Sequence, residues 1–404
     1  MVTIRPKTIL QRIPDLKVSI DSSNRVQIIL EGRTFEFGPH ALAILDVFSQ
    51  PCSLLQALEN LQTRVKGKQD WKDLTSSILE LYEAGVLRDE TQTKPTLGGD
   101  PSGYGSAAIH VAMLNDRART SRFITGILEV VNAGDVVVDI GTGTGVLAVA
   151  AARAGARCVY AIETSGMAKL AKDIFKWNGV DDRITLIEGW STRVTLPERA
   201  DVLVSEMVGD EPLAENLLEI THDAIKRFLK PDARLIPAKV RICGLPVAIP
   251  RSELAKHTFV AETLQQWRSW YGMDFSPLAE ATRDDSRPFF THPFSARHWT
   301  SLGEPVLLAD VDFKKAEQRW IDRTIPVAAK TAGLLNGLLE YFELELGPTT
   351  GLSTHPGQVA ETNHWLSPVW IFSDPMHLEP GDRFAITYQY RKTEDRARVK
   401  VSRL

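Results

Sequence analysis

Ten residues constrain this chain more than any others: Val136-Val137-Val138-Asp139-Ile140-Gly141-Thr142-Gly143-Thr144-Gly145. Three β-branched residues in a row, followed by an acid, read as a strand covered on both faces. The glycines let the backbone turn tightly and approach a ligand. The alanine-rich run Thr144–Ala154 reads as a helix whose first N–H groups have no partner within it. A strand that enters a helix through such a turn commits its region to a parallel sheet with helices on both faces. The neighbouring pattern agrees. Cys158–Glu163, Ile184–Glu188 and Val202–Ser205 read as further strands, with a helix around Met167–Trp177.

Composition bounds the rest. The 404 residues suggest two or three domains at about 150 residues each. A hydrophobic share of 43% with 24% charged residues is ordinary for a globular chain. A net charge of -4 gives no strong basic field for nucleic acid or anionic lipid, so neither is expected as a partner. Cys52, Cys158 and Cys243 form no CxxC, which argues against a disulfide framework or a cysteine-based zinc site, and no metal is expected. No run of 18 apolar residues appears, and the first residues lack a signal peptide's apolar core. The expectation is a cytoplasmic multi-domain enzyme.

The fold class expected is α/β, with an N-terminal winged-helix-like domain, a Rossmann-like domain and a C-terminal β-barrel-like domain. Residues 1–94 read as short strands (Leu16–Ile20, Val26–Leu30, Thr34–Phe37) followed by helices (Ala41–Ser49, Ser53–Val65, Trp71–Ala84), the last stopped by Gly85. Residues 95–103, with three glycines and two prolines, read as a linker. Residues 104–239 form the cofactor domain. Residues 240–404 read as mostly β, with strand-like runs at Ile242–Val247, Glu304–Val311, Gly337–Leu346, Val369–Ile371 and Phe384–Arg391.

The turn spacing is GxGxG, not the GxGxxG of dinucleotide folds. Eighteen residues after Gly145 the second strand ends in Glu163, where a carboxylate can accept both ribose hydroxyls. S-adenosylmethionine fits this arrangement better than a nicotinamide dinucleotide. After the fourth strand comes Ser205-Glu206-Met207-Val208-Gly209-Asp210-Glu211-Pro212-Leu213-Ala214-Glu215. Glu206 sits at a strand's carboxyl end, where open α/β sheets bind ligands, and Glu215 lies nine residues on. Two carboxylates on one loop can grip a guanidinium from two sides; the plain alternative is an acidic surface loop opening a helix. Phe175, Trp177 and Trp190 read as core residues.

From Tyr104 to Leu404 the chain resembles the protein arginine methyltransferases. Asp139 to Gly145 is similar to their first motif, Glu163 to their ribose-binding acid, and Glu206 and Glu215 to the two acids of their double-E loop. Asn363-His364-Trp365 resembles their Thr-His-Trp loop, and Ile109–Thr120 their helix before the sheet. The resemblance implies a cofactor site of His110, Met113, Arg119, Asp139, Gly141, Gly143, Gly145, Glu163 and Thr192, with Arg119 on the cofactor carboxylate and Thr192 near the adenine. It implies Glu206, Glu215 and His364 as catalytic groups, the acids holding the acceptor cation and His364 orienting an acid or accepting a proton. It also implies a homodimer, through an arm near Phe275–Thr300. The chain departs from the family in Met207 after the first acid, in Asp210 and Glu211 as extra acids, in Ser191-Thr192 where an adenine-binding acid usually stands, and in Asp100-Pro101 where an aromatic pair does.

Residues 1–98 carry 12 basic and 12 acidic side chains, a poor balance for binding phosphate. This segment resembles the PqqD-like leader-recognition domains of peptide-modifying enzymes, on Gly38–Leu45 and the ending Gly85-Val86-Leu87. That resemblance implies a peptide leader added as a strand beside Arg33–Phe37, with apolar pockets near Leu42, Leu79 and Tyr82; a structural cap or dimer contact is the plain alternative. The function expected is N-methylation of a peptide, a ribosomally made natural-product precursor, with arginine as first acceptor. A terminal amine, a side-chain carboxylate or a non-catalytic regulator are the alternatives.

Overall fold

The structure is a computed structural model that describes residues 6–13, 16–20, 25–30, 33–89, 105–213, 217–258, 261–281, 288–315, 320–391 and 396–404. The expected linker 95–103, Tyr104 and Glu215 lie outside the described residues. The chain divides into two compact units, Met1–Ala107 and Ala108–Leu404.

The first unit contains strands β1 (Ile9–Arg12), β2 (Lys17–Ile20), β3 (Val26–Leu30) and β4 (Arg33–Phe37), helix α1 (Ala41–Val47), β5 (Cys52–Ser53), helices α2 (Leu54–Leu61) and α3 (Gly67–Glu83), and β6 (Leu87–Asp89). Two three-stranded sheets form, in the orders β5-β1-β6 and β2-β3-β4. Leu10, Val26, Ile28, Ile44, Phe48, Leu74 and Leu81 join strands and helices in one core. Ser53 caps α2 with a reciprocal capping box to Gln56, and Gly85 takes φ 75° just past α3, which only glycine adopts at little cost. The helices differ from expectation at their ends: α3 starts at Gly67 rather than Trp71, and α2 stops at Leu61 before a 3-10 turn. Three short strands, β1, β5 and β6, were not expected; β1 pairs with both of the others, which lie far along the chain from it.

The second unit opens with α4 (Ala107–Asn115) and α5 (Arg117–Val130), then β7 (Val136–Ile140), α6 (Val146–Arg153), β8 (Cys158–Glu163), α7 (Met167–Trp177), β9 (Ile184–Glu188), β10 (Ala200–Ser205), α8 (Leu217–Arg227) and β11 (Leu229–Ile236). The five strands form a parallel sheet in the order β11-β10-β7-β8-β9. All five residues of β7 are buried, as its unbroken apolar run requires. Phe175 is buried, whereas Trp177, expected in the core, is 90% exposed at the end of α7. α7 is amphipathic, and Trp177 falls off its buried stripe of Met167, Ala168, Ala171 and Phe175.

The remaining elements are β12 (Lys239–Ala248), α9 (Arg251–His257), α10 (Ala261–Tyr271), α11 (Ser276–Ala281), β13 (Phe289–Thr291), α12 (Pro293–Ala296), β14 (Thr300–Ser301), β15 (Val306–Asp312), β16 (Trp320–Ala328), β17 (Gly333–Glu345), β18 (Gly351–Ser353), β19 (Ser367–Leu378), β20 (Arg383–Arg391) and β21 (Arg396–Arg403). They build an antiparallel barrel-like lobe from a seven-stranded sheet and the three strands β16-β20-β21. One continuous core runs from the parallel sheet through Trp365, Trp370 and Tyr388 of this lobe. No helix among the described residues is long and apolar enough to cross a membrane.

Candidate functional site

The glycine turn is fixed from behind by two buried acids. Asp139, at 1% exposure, accepts a hydrogen bond from Thr142 Oγ1 at 2.5 Å. Burial, together with the charge of Glu163, pushes its carboxyl up to about 7. Glu163 accepts from the Gly143 N–H at 2.8 Å and from the Ser165 N–H at 2.7 Å. Gly143 and Gly145 are where the missing side chain matters. A Cβ on Gly143 would stand 2.6 Å from the His110 ring, and one on Gly145 would stand 2.2 Å from Phe175; both residues have positive φ.

Two cavities lie near Arg119, the smaller of them at this loop. The smaller, about 40 Å3, is lined by His110, Met113, Arg119, Gly141, Gly143 and Glu206, among others. The larger, about 420 Å3, lies against the barrel lobe and is lined by Asp116, Arg119, Arg122, Arg241, Asn363 and Trp365, among others. Arg119 belongs to both. Asp139 and Glu163 hold the loop through the Thr142 hydroxyl and the Gly143 N–H.

At the carboxyl end of β10, Glu206 forms a buried ion pair with Arg119, and each side chain is only 7% exposed. The Arg119 guanidinium also lies 5.5 Å from the centre of the Trp365 ring. The residue assigned to the cofactor's carboxylate and the first acid assigned to the acceptor are therefore partners. Asp116 caps α5 by accepting from the Arg119 N–H at 3.1 Å. Its other oxygen accepts from the His364 N–H at 3.1 Å and meets His364 Nδ1 at 3.2 Å. Burial pushes the Asp116 carboxyl up, but the hydrogen bonds from His364 and from the backbone of Arg119 outweigh it, and the net shift is downward.

The loop after β10 is tied to the barrel lobe at three points. Trp365 Nε1 donates to the Val208 carbonyl at 2.7 Å, the Leu366 N–H to Asp210 Oδ1 at 2.7 Å, and the Tyr390 hydroxyl to the Leu213 carbonyl at 3.0 Å. Asp210 and Glu211 were both expected only as departures in the pocket; Asp210 is a fastening. Its carboxyl is raised by burial, against the Leu366 N–H and the nearby His364. Met207 lies over Gly141, where a Cβ would stand 3.3 Å from its side chain.

Thr192 is the expected site residue that the fold does not bring in. It is exposed and lines neither cavity, while its neighbour Ser191 is buried and its carbonyl accepts from Arg227. The expectation rested on a position where an acid was missing, and the turn after β9 points that side chain outward. Trp190 is half-buried, in partial accord with its expected core place. Asp116, Asp210 and Tyr390 were given no role by sequence. An Asp just before Arg117 is a legible helix cap, but its pairing with His364 is not.

Two family descriptions match the chain. Residues 118–240 match the ribosomal protein L11 methyltransferase family and residues 253–402 the arginine methyltransferase oligomerization subdomain. The probable histone-arginine methyltransferase 1.3 of Arabidopsis thaliana is 27% identical over 382 residues, covering 87% of this chain and 70% of that protein. Its counterpart 1.4 is 32% identical over 289 residues, covering 69% of this chain; the chain spans only 53% of that relative's length. Protein arginine N-methyltransferase PRMT10 of Oryza sativa subsp. japonica is 28% identical over 319 residues, covering 71% and 81%. Among solved structures, the Trypanosoma brucei PRMT1 enzyme-prozyme complex with AdoHcy superposes with a TM-score of 0.63 at 24% identity, covering 70% of this chain and 88% of that one. Arabidopsis thaliana protein arginine methyltransferase 10 gives 0.59 at 23% identity, covering 74% and 98%. At these identities the structures speak for the fold.

The parallel sheet, its glycine turn and these likenesses define an S-adenosylmethionine-dependent methyltransferase. The barrel lobe narrows the likeness: residues 253–402 match the arginine methyltransferase oligomerization subdomain, and the relatives named above are described as arginine methyltransferases. The residues present fit the methyl donor. Bare glycine backbone at positions 141 and 143 leaves a cradle that a Cβ would fill, with the cationic Arg119 at one side of it.

Proposed function

We propose that this enzyme methylates the guanidinium of an arginine in a peptide or protein. The observation that carries the reading is Glu206, a buried carboxylate beside the glycine cradle that already holds a guanidinium, that of Arg119. S-adenosylmethionine, when bound, supplies a methyl group on a sulfonium. His110, Met113 and Arg119 would contact it, with Gly141, Gly143 and Gly145 shaping its seat. Asp139 and Glu163 hold that seat, and Glu163 has lone pairs left for the ribose hydroxyls.

Glu206, with Glu215 as second acid, would hold the acceptor cation and draw its positive charge aside, so that the attacking nitrogen keeps its electron pair. His364, steadied by Asp116, would take the proton released, directly or through water. The larger cavity, which shares Asp116, Arg119 and Trp365 with this centre, would receive the chain flanking the acceptor.

Glu206→Gln tests this. Transfer to an arginine peptide should fall by at least about 100-fold, the scale of a removed charge-stabilising group. Calorimetric affinity for S-adenosylhomocysteine should stay within about threefold, because Gln still accepts from Arg119. Loss of cofactor affinity instead would overturn the role.

For recruitment, the N-terminal unit is proposed to be winged-helix-like and PqqD-like. β4 stands at the edge of its sheet, open to an added strand. Leu42 and Leu79 are 42% and 40% exposed on α1 and α3, surfaces that a leader could cover. A precursor peptide methylated equally well with and without its leader segment would remove this part of the reading.

A further inference from the structure

His364 rides on four residues, Asn363 to Leu366, that run from a turn into β19 with no helix or strand of their own. Asn363 and Trp365 are buried, so the backbone there must find partners outside any regular ladder. The N–H groups of His364 and Leu366 end on Asp116 and Asp210, which belong to the parallel-sheet lobe. The Trp365 carbonyl accepts from Asn363 Nδ2 at 2.6 Å. The Asn363 carbonyl, one residue ahead of the His364 ring, meets His292 Nε2 at 2.6 Å, from the barrel side. A carbonyl oxygen can only accept, so Nε2 of His292 carries the hydrogen. Two local features aim this ring. β13 pairs with the first residues of β19, Thr291 opposite Ser367, so the residue after Thr291 arrives beside the end of the loop. His292 then opens α12: its carbonyl accepts from the N–H groups of Ser295 and Ala296 at 2.9 and 3.3 Å, and Pro293 fixes the next φ. A ring on so fixed a backbone loses little freedom in making its bond.

We propose that His292 is a positioning residue for methyl transfer: its Nε2–H pins the Asn363 carbonyl and so fixes the loop that presents His364 to Asp116 and to the acceptor. The inference rests on the reading of His364 as the group that takes the proton, but not on arginine as the acceptor. The two acids hold N–H groups of the loop from one lobe, and His292 holds a carbonyl from the other. Without the third anchor, the carbonyl of a buried residue loses its donor and the loop can turn about the two acids. A proton acceptor displaced by about 1 Å costs rate and leaves binding largely intact.

The test removes the donor in two ways and restores it in a third. His292→Phe keeps a ring and His292→Leu does not, and neither can donate; His292→Gln carries an amide N–H at a similar reach. Exchange of the His364 and Leu366 amides reads the seating without any acceptor. It should quicken about tenfold in the Phe and Leu variants and return to the wild-type rate in His292→Gln. In the same two variants kcat should fall at least about tenfold, while KM for the acceptor peptide and the affinity for S-adenosylhomocysteine stay within about threefold. His292→Gln should recover most of kcat. Exchange at the wild-type rate in the Phe and Leu variants overturns the proposal. So does a loss that His292→Gln fails to repair, or one seen in His292→Leu alone, which would assign the effect to ring packing. His364→Ala separates this inference from the reading beneath it. If kcat collapses there and survives in His292→Phe, positioning by His292 is wrong. If kcat survives in both, His364 is not the proton acceptor, and the exchange rates alone decide whether His292 seats the loop.

Discussion

Gly145 and Asp116 illustrate how single atoms decide this site. Alanine at position 145 would place its Cβ inside the Phe175 ring's space while forcing a side chain into φ +80°. Gly145→Ala should cost about 2–4 kcal/mol, the combined scale of overpacking and a disallowed backbone angle, measurable by urea unfolding. Asp116→Asn separates two duties of one side chain. Asparagine still caps α5, so the fold should persist, but the negative partner of His364 is lost. Turnover should fall by about 100-fold with donor affinity nearly unchanged; an unaltered kcat would take His364 out of proton transfer. Glycines, Glu163 and Glu206 were legible because a turn after a buried strand has few chemical solutions. The Asp116–His364 contact was not, because 248 residues separate its ends and nothing local to either records the other. Arg119 was read as a cofactor ligand, and the structure adds a partner that the sequence had placed in another subsite.

Among the elements, β7 and β8, buried on both faces, coincide with their apolar runs, and β9, half-exposed at the edge of the sheet, was read to the same bounds. The strands missed are of another kind. β16 alternates exposed and half-buried residues and carries Pro326, and β21 is a basic strand whose pairing comes only from β20. Neither offers the unbroken apolar run by which the buried strands were read. One clamp between elements is also invisible in sequence. Glu129, near the end of α5, accepts from Thr349 and Thr350 in the turn before β18, which joins the parallel-sheet lobe to the barrel lobe. Those hydroxyl and N–H donors hold its carboxyl down to about 2. A lowered value stabilises the fold above the ordinary carboxyl range, and that contribution disappears as pH falls through about 2. Glu129→Gln should therefore lower Tm at pH 7, and the gap from wild type should shrink as pH drops below 4; an equal gap at both would mean that charge is not the source.

For the molecule as a whole, the division at Ala107 sets its own test. A chain beginning at residue 105 should bind S-adenosylhomocysteine as the full chain does, since the residues lining the glycine cradle all lie beyond that point; calorimetry decides. The match of residues 253–402 to an oligomerization subdomain, and the exposed Trp270, Tyr271 and Met273 on and beside α10, support a homodimer. Light scattering at micromolar concentration should give twice the monomer mass, and a monomer there would remove that proposal.

The three fastenings between Val208–Leu213 and the barrel lobe bear on how such an enzyme can be altered. Grafting a new acceptor segment after β10 would import side chains without their moorings, and swapping the barrel would strand the moorings without their segment. New acceptor preferences should therefore emerge from libraries that vary residues 206–213 jointly with positions 365 and 390, whose side chains make the fastenings from the barrel, and stall in libraries that vary either patch alone.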